Sequence, residues 1–285
     1  MPFTPLISTA DLAAHLADPD WAIVDCRFDL ANTDWGEQAY HEAHLPGAAY
    51  AHLDRDLSGL MTGKNGRHPL PDDDVQFLVR LSMWGIGQDT QVAAYDQSHG
   101  MWASRLWWML RFIGRRAVAV LDGGWAKWVS EGRPTRTGRE RRARHAVGNA
   151  AVRQKRMLVT ADEVERLRQD PAYRLIDSRA PERYRGEVEP IDLVAGHIPG
   201  AVNHYNLSNV NPDGTFPAPE VLRAKFLALL GDVPPSKVVT YCGSGVAAAH
   251  NLLAMEIAGL RGARLYAGSW SEWCSDPERP VGRRQ

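Results

Sequence analysis

The chain has 285 residues, 44% apolar and 24% charged, with a formal net charge of −1. That length suggests about two domains, each able to bury a core, and the near-neutral balance gives no global field to attract nucleic acid or an anionic membrane. Three cysteines, Cys26, Cys242 and Cys274, are too few for a disulfide framework and suggest a reducing compartment.

The first twenty residues, MPFTPLISTADLAAHLADPD, lack a basic stretch and a long apolar run, so no signal peptide is expected. No window approaches the roughly 18 apolar residues of a membrane span. A cytoplasmic protein with neither nucleic-acid nor membrane partners is the expectation. Ser8 or Thr9 before ADLAAHL predicts a capped first helix. There follow WAIVDCR (21–27), AHLPGAAY (43–50), QVAAYD (91–96) and LDGGWAKW (121–128). Between the last two, WASRLWWML (102–110) reads as an apolar helix packing on a sheet, and Arg105 inside it is given no catalytic role. Residues 135–156 are rich in Arg and poor in large apolar side chains, and read as a linker.

The second half repeats the first. YRLIDSR (173–179) returns WAIVDCR, GHIPGAVN (196–203) returns AHLPGAAY, KVVTYC (237–242) returns QVAAYD, and LYAGSWSEW (265–273) returns LDGGWAKW. The order is kept and the offset stays between about 145 and 153 residues, which marks a duplicated domain. RLIDS and KVVTYC read as strands; ADEVERLRQ and VAAAHNLLAMEIAGL read as helices. Alternating β and α elements predict α/β domains, each a parallel sheet flanked by helices, spanning 1–134 and 157–285. Ligands on such sheets bind at the carboxyl ends of strands, where Cys242 falls.

Cys242 is followed by Gly243, Ser244 and Gly245, with a helix expected from near Val246. Small residues let successive backbone N–H groups turn toward one point, and a helix N-terminus adds partial positive charge. Both favour a thiolate, the nucleophilic form of cysteine. A buried, inert cysteine is the alternative, but it has no use for a glycine-lined turn. Phosphatase chemistry needs an Arg six residues on, and Ala248 stands there; C-x-x-C exchange is disfavoured by Gly245. Sulfur transfer fits what remains: the thiolate takes a sulfur atom, becomes a persulfide and hands the outer sulfur to an acceptor.

GHIPGA (196–201), AHLPGA (43–48), DGGW (122–125) and YCGSGV (241–246) together resemble the tandem rhodanese-type sulfurtransferases over nearly the whole chain. The resemblance implies a catalytic second domain and a silent first one. Asp96, in YDQSHGMWA at the position matching Cys242, cannot carry sulfur and agrees. It also implies a donor. Thiosulfate enzymes of the family usually carry Arg-Lys after the cysteine, whereas 3-mercaptopyruvate enzymes carry Gly-Ser or Gly-Thr, as Gly243-Ser244 does. By the same resemblance Arg183 binds the donor carboxylate, with Arg185 able to assist and the loop residues Gly243, Gly245 and Val246 lining the substrate. His68 and Asp54, from the first half, are expected to work with Ser244 on proton movement. Two positions depart from the pattern. Ile191 follows Glu189-Pro190 where the mercaptopyruvate enzymes usually have a second Arg, and Ala247 stands where a Thr is usual.

The expected activity is transfer of sulfane sulfur from 3-mercaptopyruvate through Cys242 to a small thiol, a thioredoxin-like dithiol or cyanide, with no cofactor. A thiosulfate sulfurtransferase and a persulfide carrier or sensor that does not turn over are the competing readings. HEAH (41–44) resembles a metal pair, but His44 has a repeat mate in His197 before the same Pro-Gly turn, so no metal is expected. Cys26 and Cys274 read as structural.

Overall fold

The computed structural model describes residues 2–140 and 152–283. Among them ten short strands carry the fold. The first five are β1 (Leu6–Ile7), β2 (Trp21–Asp25), β3 (Ala48–Tyr50), β4 (Gln91–Tyr95) and β5 (Val118–Leu121). They form one parallel sheet in the order β1-β5-β4-β2-β3. The next five are β6 (Leu158–Val159), β7 (Arg174–Asp177), β8 (Val202–Asn203), β9 (Val238–Tyr241) and β10 (Arg264–Tyr266). Their sheet has the order β6-β10-β9-β7-β8, again parallel throughout. The duplication read from four sequence fragments is thus a duplication of topology.

Residues of β4 and β9 are buried at every position, as continuous apolar runs covered on both faces must be. Ser8 is the cap of the first helix, Thr9–Ala14, its Oγ accepting from the Asp11 N–H at 3.0 Å. Thr160 and Glu163 form a reciprocal capping box on the helix Ala161–Leu167. The WASRLWWML pattern becomes the helix Ala103–Phe112, buried at nine of its ten positions, so it is a core element rather than a surface one. Trp128, Tyr95 and Ile23 centre the first core; Trp270, Trp273 and Tyr241 centre the second.

Each copy also carries a buried ion pair after its second strand. Arg27 clasps Asp25 and Arg179 clasps Asp177, both at 2.6 Å, and both arginines reach a carbonyl ahead of the Pro-Gly turn. His44 and His197 are structural, as their shared motif suggests. Each ring nitrogen Nδ1 bonds a backbone carbonyl at 2.7 Å, of Tyr40 and Tyr184, and each ring stacks on that same tyrosine.

The chain divides into two compact units. The first comprises Met1–Ser58, Pro71–Gln154 and Val210–Phe216; the second comprises Gly59–Leu70, Lys155–Asn209 and Pro217–Gln285. Residues 141–151 of the expected linker lie outside the described residues. Its flanks at 135–140 and 152–154 are part of the first unit, and Lys155 and Arg156 belong to the second. Arg136 and His44 exchange backbone hydrogen bonds of 2.9 Å, and Arg153 binds Asp74 at 2.8 Å. His197 and Gly282 make the matching exchange at the end of the second copy. No helix among the described residues is long and apolar enough to cross a membrane.

Candidate active site

The second unit places Cys242 directly after β9, which pairs with β7 on one side and β10 on the other. The loop Gly243–Val246 then leads into the helix Ala247–Ile257. The loop folds over the thiol. Cys242 Sγ accepts from the N–H of Ser244 at 3.4 Å and of Gly245 at 3.1 Å. Such converging amides stabilise negative charge on the sulfur. Gly245 makes the turn possible: its φ is +80°, and a Cβ there would lie 2.5 Å from the Ala267 carbonyl oxygen. Val246 is buried beneath the loop at the entry to the helix.

A second loop, 267–271, supports the first. The N–H groups of Trp270 and Ser271 donate to the carbonyls of Cys242 and Gly243 at 2.9 and 3.0 Å. Ser269 Oγ accepts from the Cys242 N–H at 3.1 Å and donates to the Tyr266 carbonyl at 2.9 Å. Ser269 does this from a left-handed backbone, φ +57°, a conformation costly for any residue but glycine. Gly124 holds that conformation in the first copy, φ +55°. Sequence reading passed over Ser269, although DGGW set against AGSW shows a side chain where the repeat has none.

His68 comes to this site, because residues 59–70 belong to the second unit. Its Nδ1 shares a 2.7 Å hydrogen bond with Ser244 Oγ, both side chains buried. Arg183 is also present. Its Nη2 lies 2.6 Å from Glu189 and 3.1 Å from Asp192. Arg185 does not join it: its guanidinium pairs with Glu187 at 2.8 Å on the surface. The two arginines are two residues apart at the end of the helix Pro181–Tyr184, a spacing that puts side chains on different faces. Asp54 belongs to the first unit, where it is exposed in the helix Leu53–Asp56 and its N–H donates to His52 Nδ1.

Arg67 and Asp192 complete the cluster, and neither was singled out in the sequence. Arg67 Nη1 lies 2.5 Å from Asp192 Oδ1, so Asp192 bridges Arg67 and Arg183. Burial pushes the Asp192 carboxyl above its usual range; Arg67 opposes the rise, Glu189 adds to it, and Arg183 opposes it. The position of Arg67 beside His68 in GRHPLP was the available signal.

The first copy fills the equivalent loop with its own carboxylate. Asp96 accepts from the N–H groups of Ser98, Gly100 and Ala103 at 2.7, 2.9 and 2.8 Å. Burial pushes this carboxyl up, while those amides pull it back.

Residues 8–131 and 160–276 each match the rhodanese-like domain. The chain belongs to the rhodanese family. Among rhodanese relatives it is 45% identical to a probable 3-mercaptopyruvate sulfurtransferase of Pseudomonas aeruginosa, over 97% of both chains. It is 40% identical to a putative thiosulfate sulfurtransferase, SseB, of Mycobacterium tuberculosis, over 98% of this chain and 96% of that one. The crystal structure of the Escherichia coli 3-mercaptopyruvate sulfotransferase SseA superposes with a TM-score of 0.81 and 30% identity, covering 94% of this chain and 99% of that one. Two rhodanese domains, one with the thiol and one with Asp96 at the same place, are therefore what the repeat encodes.

Proposed function

We propose that this chain is a 3-mercaptopyruvate sulfurtransferase that works through a persulfide on Cys242. The thiolate attacks the sulfur of the donor. The S–S bond forms as the C–S bond breaks, and its electron pair leaves as the enolate of pyruvate. A proton then goes to the enolate carbon, releasing pyruvate. An acceptor thiolate takes the outer sulfur and restores Cys242. The acceptor in this reading is a small thiol or a thioredoxin-like dithiol, and the three unpaired cysteines suit a reducing, cytoplasmic setting.

The observation that carries the choice of donor is the Ser244–His68 hydrogen bond at 2.7 Å, one loop residue from the nucleophile. An enolate needs a proton as it leaves, and an imidazole joined to a hydroxyl can deliver one. Sulfite leaving from thiosulfate needs none. The charge argument points the same way: Glu189 and Asp192 partly neutralise Arg183, so the cluster offers too little net positive charge to favour a compact dianion over a monocarboxylate.

Steady-state assay of both donors with a dithiol acceptor tests this. The wild type should favour 3-mercaptopyruvate in kcat/KM, and His68→Gln or Ser244→Ala should lower that value by about 10²-fold while affecting thiosulfate far less. Faster turnover of thiosulfate by the wild type would overturn the assignment of donor. Sulfur loading without turnover would make the chain a carrier.

A further inference from the structure

The geometry points to Arg67 as a second donor-binding cation, delivered from the 59–70 segment to the place where neither Gly243 nor Ile191 can supply one. This rests on the reading of Cys242 as the nucleophile. Ile191 is 43% exposed and contributes only its N–H, which donates to Glu189 at 3.1 Å. Gly243, next to the nucleophile, has no side chain at all. The Arg67 guanidinium fills that space: a Cβ on Gly243 would lie 2.9 Å from Arg67 Nη2, and 3.7 Å from both Arg183 Nη2 and Asp192 Oδ2. Gly243 is therefore more than a flexible turn residue. It is the gap that lets Arg67 reach the loop.

Arg67 is built into this position. Its N–H donates to Ser271 Oγ at 2.9 Å, which ties it to the loop that supports Cys242. Gly66 before it has φ +85°, and its α-carbon packs so close to Gly268 that a Cβ would lie 2.6 Å from the Gly268 oxygen. The Arg67 Nε–H is buried and, among the described residues, has no hydrogen-bond partner. A buried guanidinium donor left unbonded is costly unless an acceptor arrives. Among the described residues the carboxylate paired with Arg67 is Asp192, which it shares with Arg183. Two guanidiniums that share Asp192 beside the nucleophile, Arg183 holding Glu189 as well, form a receptor for a further carboxylate, that of an α-keto acid donor.

The probe that isolates this charge is a pair of alkylating agents of nearly equal size, anionic iodoacetate and neutral iodoacetamide. Their rates at Cys242 are read by mass spectrometry, with Cys242→Ser as the blank. Arg67→Met should lower the iodoacetate-to-iodoacetamide ratio by about fivefold or more and raise the KM for 3-mercaptopyruvate by about tenfold, with kcat changed much less. Arg67→Lys should recover part of both losses. Gly243→Ala, whose Cβ would crowd the guanidinium, should lower the same ratio by a smaller factor. A ratio unchanged in both Arg67→Met and Gly243→Ala overturns the role of Arg67. The ratio does not depend on sulfur transfer. A wild type that fails to turn over 3-mercaptopyruvate, yet loses the ratio in Arg67→Met, would overturn the proposed donor and leave the anion site standing.

Discussion

At the scale of single residues, the proposed nucleophile is defined by what surrounds it. Cys242 and Asp96 occupy the same slot in two copies of one loop, and each draws backbone N–H groups toward its side chain. Gly245 is the residue on which the Cys242 loop depends. In Gly245→Ala the left-handed backbone costs about 1–2 kcal/mol, and the new methyl group meets the Ala267 oxygen besides. The protein should still fold but lose sulfur loading almost entirely, as measured by persulfide yield; full loading in that variant would show that the amide cradle is dispensable. Cys242, Gly243, Ser244, His68 and Arg183 were legible because each sits in a short recognisable stretch. Arg67 and Asp192 were not, because their meaning depends on a contact spanning 125 positions. Arg185 stands beside Arg183 in the sequence but pairs with Glu187 instead of joining the Arg183 cluster.

At the scale of elements, the helix Ala247–Ile257 must hold the loop against the sheet, and it does so partly through polar groups. Asn251 Nδ2 donates to Ser178 Oγ at 2.8 Å and to the His204 carbonyl at 2.9 Å, while its Oδ1 accepts from Asn209 at 2.6 Å. Ser178 follows β7, so this one side chain fastens the helix to the end of the neighbouring strand. Asn251→Leu leaves Asn209 and the His204 carbonyl short of partners in a buried place. A loss of about 2–3 kcal/mol in unfolding free energy is expected by denaturant titration, and a loss under about 0.5 kcal/mol would contradict it. The sequence reads as helix here, from an apolar run with a glycine-rich turn before it. It does not reveal that Asn251 is a buried clamp, since periodicity reports which face is covered and not what covers it.

At the scale of the whole chain, duplication was visible because four fragments recur in order, and both sheets follow the same strand sequence. The boundaries were less visible. The Arg-rich composition of 135–156 reads as solvated strap, yet Arg136 is locked by its backbone to His44 and not by its side chain. Composition carries no signal for a backbone bridge. The second unit should be acid-labile for a related reason. His197 and His204 both have their imidazolium forms disfavoured by burial, partly offset by the Tyr184 carbonyl for one and by Asn209 for the other. Their folded pKa values lie below the unfolded value of 6.5, so the unfolded chain takes up protons first. Their contribution to stability is intact above about pH 6.5 and is lost as pH falls from there through the depressed values. The raised carboxyls of Asp192 and Glu272 act in the opposite sense, so the comparison that isolates the imidazole is wild type against His204→Gln. Thermal melts between pH 7.5 and 5.5 should show a smaller drop in Tm for the variant. Equal drops would mean that His204 does not take part.

The central claim is that Cys242 receives sulfur from 3-mercaptopyruvate. Intact mass after brief exposure to 3-mercaptopyruvate, with thiosulfate alongside and Cys242→Ser as control, tests it most directly. The account predicts the gain of one sulfur atom from 3-mercaptopyruvate in the wild type and none in Cys242→Ser. Loading by thiosulfate alone, or equal loading of the variant through Cys26 or Cys274, would contradict it.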